Sequence, residues 1–242
     1  MAPNSSKPTP HTYHAHRDRQ RRRILGAAEK LFDERGIDRT MMAEVIEDSE
    51  LRPSTIYQYF ANKDEIVWAI LGEVLEEAAA RAKKSVEGAT TGLARITALL
   101  EYMADDLANN QSKIRFMAQF DAMYARDWPA ERLLTLESQF HDQGFKAFHK
   151  LIREGIADGS LRSDLNPDLT LHAVINAVIA AQRRLASLGR KVEVEYGQPI
   201  DQLFRETIRI ILFGLRASEP ATNAAPSRRV RTRKGTTRKR SS

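Results

Sequence analysis

Between residues 24 and 216, apolar residues recur three and four positions apart, the spacing that lines one face of an α-helix. Ile24, Ala27, Ala28, Leu31 and Phe32 make a first stripe that stops at Gly36. Thr40 is placed to cap a helix carrying Met41, Met42, Val45 and Ile46. Pro53 suits the first turn of a short helix running through Ile56, Tyr57, Tyr59 and Phe60. Asn62 is placed to cap a long helix with Ile66, Val67, Ile70, Leu71, Val74 and Leu75 on one stripe. Gly88 and Gly92 bracket a break, and helices follow at about 92–108, 111–125 and 129–156. The loop DGSLRSDLNP ends that run, and two more helices span about 167–188 and 199–216. No segment alternates as a strand does, and no unit repeats at 20–50 residues. The pattern predicts an all-α fold.

Composition narrows the setting. The chain has 242 residues and no cysteine, which excludes disulfides, thiolate metal sites and cysteine nucleophiles. No stretch approaches a membrane span and no secretory signal opens the chain, so a soluble cytoplasmic protein is expected. The net charge of +6 is unevenly placed. Residues 217–242 carry eight basic residues, among them Arg228, Arg231, Lys234 and Arg240, against the single acid Glu219. Residues 1–66 are neutral, with eleven residues of each sign. The basic segment therefore sets the net charge, and it reads as a disordered tail. Residues 1–18 read as a flexible N-terminal arm, although five arginines between Arg17 and Arg23 lead into the first helix.

The most informative segment is GIDRTMMAEVIEDSELRPSTIYQYFANKDEI, residues 36–66. It is a helix, a tight turn, a short helix and a new helix start. A short helix with one polar face, clamped by apolar residues on the other, can enter a DNA major groove. Arg52, Ser54, Thr55, Gln58 and the hydroxyls of Tyr57 and Tyr59 can donate to phosphates or base edges. Phe60 and Ile56 would anchor the helix, with Tyr57 sharing in the packing. Lys63, near a helix N-terminus, can meet a phosphate.

Here the sequence resembles the TetR family of transcriptional regulators. The shared pattern is F-x-x-x-G from Phe32 to Gly36, a capping Thr40 and the apolar pair Val45 and Ile46. It continues with Thr55, Ile56, Tyr57, Tyr59, Phe60, Lys63, Asp64 and Ile66. Two positions depart from it. Glu50 stands where the family usually has a turn glycine, and Arg52 where a serine cap is usual. A left-handed turn costs a non-glycine residue about 1–2 kcal/mol, so this turn is expected to be strained or differently shaped. The resemblance implies that residues 19–66 form the DNA-binding domain, with Thr40, Arg52, Ser54, Thr55, Tyr57, Gln58, Tyr59 and Lys63 at the DNA.

The resemblance further implies that residues 67–216 form a helical ligand-binding and dimerisation domain. Aromatic and polar residues on its helices are candidate ligand contacts: Tyr102, Phe116, Phe120, Tyr124, Phe145, His172 and Asn176. The last helix is apolar nearly all round, with Ile208 and Leu212 at the centre of its main stripe and Ile210 and Phe213 outside it. A helix of that kind buries both sides; the central stripe is the expected homodimer contact. No hydrolase, phosphate-loop, zinc or calcium motif occurs, so neither an enzyme nor a cofactor or metal is expected. The expected function is a homodimeric regulator, a repressor, released from a two-fold double-stranded DNA operator by a small-molecule effector. The alternatives are a ligand-independent DNA-organising protein and a small-molecule-binding helical protein with an incidental helix-turn-helix.

Overall fold

The structure, a computed structural model, describes residues 10–138 and 145–217. Among them are eleven helices: α1 Pro10–Arg35, α2 Met42–Ser49, α3 Pro53–Tyr57, α4 Lys63–Ser85, α5 Gly92–Asn109, α6 Gln111–Asp127, α7 Ala130–Ser138, α8 Phe145–Ala157, α9 Pro167–Leu188, α10 Lys191–Tyr196 and α11 Ile200–Leu215. The described residues form no strand, only an isolated antiparallel bridge between Leu161 and Arg216. None of these helices is long and apolar enough to cross a membrane.

Several boundaries follow the local chemistry read from the sequence. Gly36 adopts φ +95° and its N–H returns to the Phe32 carbonyl, ending α1 in a conformation that side-chain-bearing residues avoid. Asn62 caps α4 by accepting from the Glu65 N–H at 3.0 Å, and Pro53 occupies the first turn of α3. Three expectations need correction. α1 starts at Pro10, so residues 10–18 are helical rather than an arm: no Gly or Pro interrupts residues 11–25. Thr40 does not cap α2; the cap position is Met41, whose N–H donates to the Glu44 carboxylate at 2.8 Å. The six-residue α10 was not foreseen, being too short to display a period.

Two apolar cores stack along the molecule. The first joins α1, α2, α3 and the start of α4 through Ile24, Phe32, Val45, Ile56, Ile66 and Ile70. The second joins α5, α8, α9 and α11 through Leu100, Ile152, Val178, Phe204 and Ile208. α6 serves both: Phe116, Phe120 and Met123 enter the first core and Ile114 the second. α5 and α8 cross where Gly92 meets Gly155; a Cβ on Gly92 would lie 2.3 Å from the Gly155 Cα, so this crossing requires glycine.

Candidate nucleic-acid interface and ligand cavity

The α2–turn–α3 unit is clamped from inside. Val45 and Ile56 are wholly buried, Phe60 nearly so, and the buried Ser49 donates its hydroxyl to the Ile46 carbonyl. Glu50 makes the turn at φ 52°, ψ 29°, a left-handed conformation on a non-glycine residue. Its carboxylate pairs with Arg23 at 3.0 Å. The expected strain is thus present.

Arg52, Pro53, Ser54, Tyr57 and Gln58 face outward from α3, and Thr55 is half-buried. Ser54, Tyr57 and Gln58 follow the three-and-four spacing of one helix face. Among the described residues, the side chains of Arg52, Ser54, Tyr57 and Gln58 have no hydrogen-bond or ion-pair partner, so their polar groups stand ready for an external one. Tyr57 is 53% exposed; the expectation that it shares in packing is corrected, because Ile56 and Phe60 already fill the space beneath α3.

Three of the expected contact residues are engaged within the protein. Thr40 is 1% exposed and its hydroxyl donates to the Gly36 carbonyl at 2.8 Å, which withdraws that side chain from any phosphate. The Tyr59 hydroxyl donates to Gln20 Oε1 at 2.9 Å while the Arg17 guanidinium lies 5.7 Å over its ring. Lys63 Nζ donates to the carbonyls of Ile37 (2.7 Å) and Thr40 (2.9 Å). It ties the α1–α2 turn to α4 and keeps one of its three N–H groups for another acceptor. Spacing along the chain gives no signal for this role, since the two carbonyls lie 26 and 23 residues away.

The larger half holds a cavity of about 220 Å³ between α4, α5, α6 and α9. Its walls are mainly apolar, with Leu75, Leu99, Met103, Ile114, Met117 and Ile175 among them. Its polar groups are Arg81, Tyr102, Asp106, Lys113, Gln182 and Arg183. Each charge on the wall has a partner. Arg81 meets Asp106 at 3.1 Å, Lys113 pairs with Glu77, and Arg183 pairs with Asp121. Arg81 Nε is buried without an acceptor, and the Arg81 guanidinium stacks 5.7 Å over the Tyr102 ring. Burial, then the nearby Asp106 carboxylate, pushes the Tyr102 hydroxyl up to about 12, so it stays protonated at neutral pH. Burial also pulls Arg183 down to about 10.

Of the expected ligand contacts whose side chains are described, Tyr102 alone lines this cavity. Phe116 stacks on Phe32 of α1 with ring centroids 6.3 Å apart. Phe120 lies 5.2 Å edge-on to Trp68 and stacks on Tyr124 at 5.8 Å, in an aromatic cluster that Trp128 completes. These rings join α6 to the DNA-binding end and are core. Tyr124 and Asn176 border an open depression on the outer side of α6 and α9. His172 and Asn176 are exposed on α9, because the inward face there is taken by Leu171, Val178 and Gln182. The Phe145 side chain lies outside the described residues. The reading missed Arg81, Asp106 and Arg183, charged residues that an apolar pattern assigns to the surface.

α6 connects the two sites. Lys113, Ile114 and Met117 line the cavity. On the same helix Arg115 holds Asp33 of α1 in a bidentate pair at 2.7 and 3.0 Å. Gln119 accepts from the Ile37 N–H at 2.7 Å, at the end of α1.

A short helix held by an apolar clamp and exposing uncommitted polar side chains defines a helix-turn-helix DNA-binding protein. Residues 24–70 match the family model for bacterial regulatory proteins of the tetR family. The chain is 25% identical over 150 residues to the HTH-type transcriptional repressor KstR2 of Mycolicibacterium smegmatis, covering 62% of this chain and 71% of that one. It is 26% identical over 147 residues to an HTH-type transcriptional regulator, YfiR, of Bacillus subtilis, covering 61% and 70%. Its fold is similar to that of the ketosteroid transcriptional regulator KstR2 of Mycobacterium tuberculosis, with a TM-score of 0.61 at 21% identity over 82% of this chain and 96% of that one. A tetR-family regulator from Rhodococcus RHA1 gives a TM-score of 0.65 at 14% identity, covering 83% and 98%. Residues 24–70 thus carry a DNA-binding domain of the tetR type, and the chain is similar to helix-turn-helix transcriptional regulators.

Proposed function

We propose that this regulator is a homodimeric repressor that a small molecule in the α4–α5–α6–α9 cavity releases from a two-fold operator. The observation that carries this reading is α6, a single helix that walls the cavity and grips the end of α1 through Arg115 and Gln119. A ligand acts only through its differential affinity for two arrangements of the molecule. A cavity whose wall is also the handle of α1 supplies such a difference, because moving α6 moves the DNA-binding end. The repressor sense follows the relative KstR2, which is named a repressor.

The dimer contact is the outer side of α11 and its neighbour α9. Phe213 is 79% exposed and Ile210 60%, on a helix whose opposite side is core. Large apolar residues exposed together mark an interaction surface, and a two-fold contact closes on itself. Arg52, Ser54, Thr55, Tyr57 and Gln58 are the groove-side residues, and the remaining Lys63 N–H meets the backbone. The basic residues 228–240, which lie outside the described residues, add sequence-independent phosphate contacts.

The test is selection of binding sites from random DNA, followed by sedimentation of the complex. The expected result is a two-fold sequence bound by two chains. An asymmetric site bound by one chain would overturn the reading.

A further inference from the structure

The cavity's uncommitted polar atoms describe its ligand. Gln182 is buried at 7% exposure, and its Nε2 donates to the Met103 carbonyl at 2.8 Å. A carbonyl only accepts, so the amide is fixed with its nitrogen toward Met103 and its oxygen turned away. That oxygen, Oε1, accepts no hydrogen bond among the described residues, and Gln182 lines the cavity. The Tyr102 hydroxyl, on the residue before Met103, also has no hydrogen-bond partner among the described residues and lines the same space. The three cations of the wall are each paired with a carboxylate, so no unmatched charge waits for a ligand of either sign. Among the described residues of the wall, the buried polar atom without a partner is Arg81 Nε, a donor that a ligand oxygen can meet, while the Gln182 oxygen and the Tyr102 hydroxyl are not sealed off and stay open to a ligand O–H.

We propose that the cavity selects a small, neutral, mainly apolar molecule bearing a hydroxyl group, of the alkylphenol or short-alcohol class. The Gln182 carbonyl accepts from the ligand O–H, and the Tyr102 hydroxyl donates to the ligand oxygen. Size agrees: a cavity of roughly 150 Å³ holds benzene, and 220 Å³ leaves room for a ring with a short substituent. The apolar body rests on Leu75, Leu99, Met117 and Ile175. The proposal rests on the reading of this cavity as an effector site and adds the class of molecule that fills it.

Calorimetric titration of the full-length protein with 4-ethylphenol, ethylbenzene and 4-ethylbenzoate tests it. These probes share a body and differ in the polar group. The expected result is 4-ethylphenol bound roughly tenfold more tightly than ethylbenzene, with 4-ethylbenzoate weakest. Tyr102→Phe should narrow the preference, since it removes one hydroxyl that the fold does not use. Gln182→Leu should abolish the preference and strengthen ethylbenzene binding; thermal melting confirms that each variant is folded. Equal affinity for 4-ethylphenol and ethylbenzene, a preference unchanged by both substitutions, tightest binding of 4-ethylbenzoate, or binding of no probe would each overturn the proposal. Fluorescence anisotropy of the selected operator is read separately. Selective 4-ethylphenol binding that leaves operator affinity unchanged would uphold the ligand class and overturn the effector reading.

Discussion

The DNA-binding end and the larger helical half are made of similar amphipathic helices, yet they reveal their sites to different degrees. In the first, α2 and α3 span eight and five residues around one small core. A short helix has one inside, so once Val45, Ser49, Ile56 and Phe60 fill it, the polar residues Arg52, Ser54, Tyr57 and Gln58 are left outward. In the larger half, α9 and α11, of twenty-two and sixteen residues, are long enough to face several surroundings at once. α9 presents Val178 to the core, Gln182 to the cavity and Asn176 to the outside. Apolar spacing records that a side is covered; it does not record by what.

The sharpest way to break this comparison is on α11, whose two apolar sides do different things. Ile208, at the centre of the main stripe, is 4% exposed within the protomer. The expectation that it meets the two-fold mate is therefore corrected: α5 and α9 cover it first. Ile208→Glu buries an unpaired carboxylate in the core, which costs several kcal/mol, on the order of 3–5. The expected outcome is an unfolded or aggregated protein by circular dichroism. Phe213→Glu, on the outer side, should leave the melting curve of the protomer nearly intact while sedimentation shows monomers and operator affinity collapses. A Phe213→Glu protein that remains a tight dimer would remove this side from the interface.

The next effect tests whether the DNA-binding end is as simply layered as it looks. Lys63→Ala removes two charge-assisted hydrogen bonds to the Ile37 and Thr40 carbonyls. Such bonds contribute about 1.5–3 kcal/mol each when net and well formed; partial exposure of Lys63 places the sum near the low end. The variant should melt early and lose affinity for all DNA sequences alike. Lys63→Arg should restore part of both. A variant of unchanged stability with only a shallower salt dependence would return Lys63 to a purely phosphate-contacting role.

How much was legible divides along the same line. The helix class, the Gly36 stop, the Asn62 cap, the Pro53 start and the strained Glu50 turn were all readable, because each depends on neighbours within a few residues. The engagements of Lys63 and Tyr59 were not, because Ile37, Thr40 and Gln20 come near only in the folded chain. The cavity was least legible. Arg81 and Asp106 read as surface charges, and only the packing of α4 against α5 turns them into a wall.

A smaller effect separates reading from gripping on α3. Arg52 and Gln58 are exposed and have no partner among the described residues. Arg52→Ala and Gln58→Ala should each change preference at one or two symmetric operator positions, by roughly 1–3 kcal/mol of discrimination. Binding-site selection with each variant measures this. If both select the wild-type sequence, then α3 lies in the groove with another side inward, and Tyr57 and Ser54 become the residues to change.

The smallest effect concerns the turn that departs from the family pattern. Glu50 holds φ 52° without being glycine, a conformation costing about 1–2 kcal/mol. Glu50→Gly removes that strain and gives back about 0.5–1 kcal/mol through the greater freedom of glycine in the unfolded chain. It also removes the pair with Arg23, whose side chains are 49% and 82% exposed; a pair in that position contributes little. The balance favours the glycine slightly, so melting should rise by about a degree or two. The charge change acts in the same direction on binding. Losing a carboxylate beside α3 and releasing Arg23 toward the phosphates should strengthen DNA affinity and steepen its salt dependence by up to about one unit. Lower melting in Glu50→Gly would show that the Arg23 pair, not the backbone, fixes this turn. Glu50→Gln separates the two, since it keeps the strained side chain and removes only the charge.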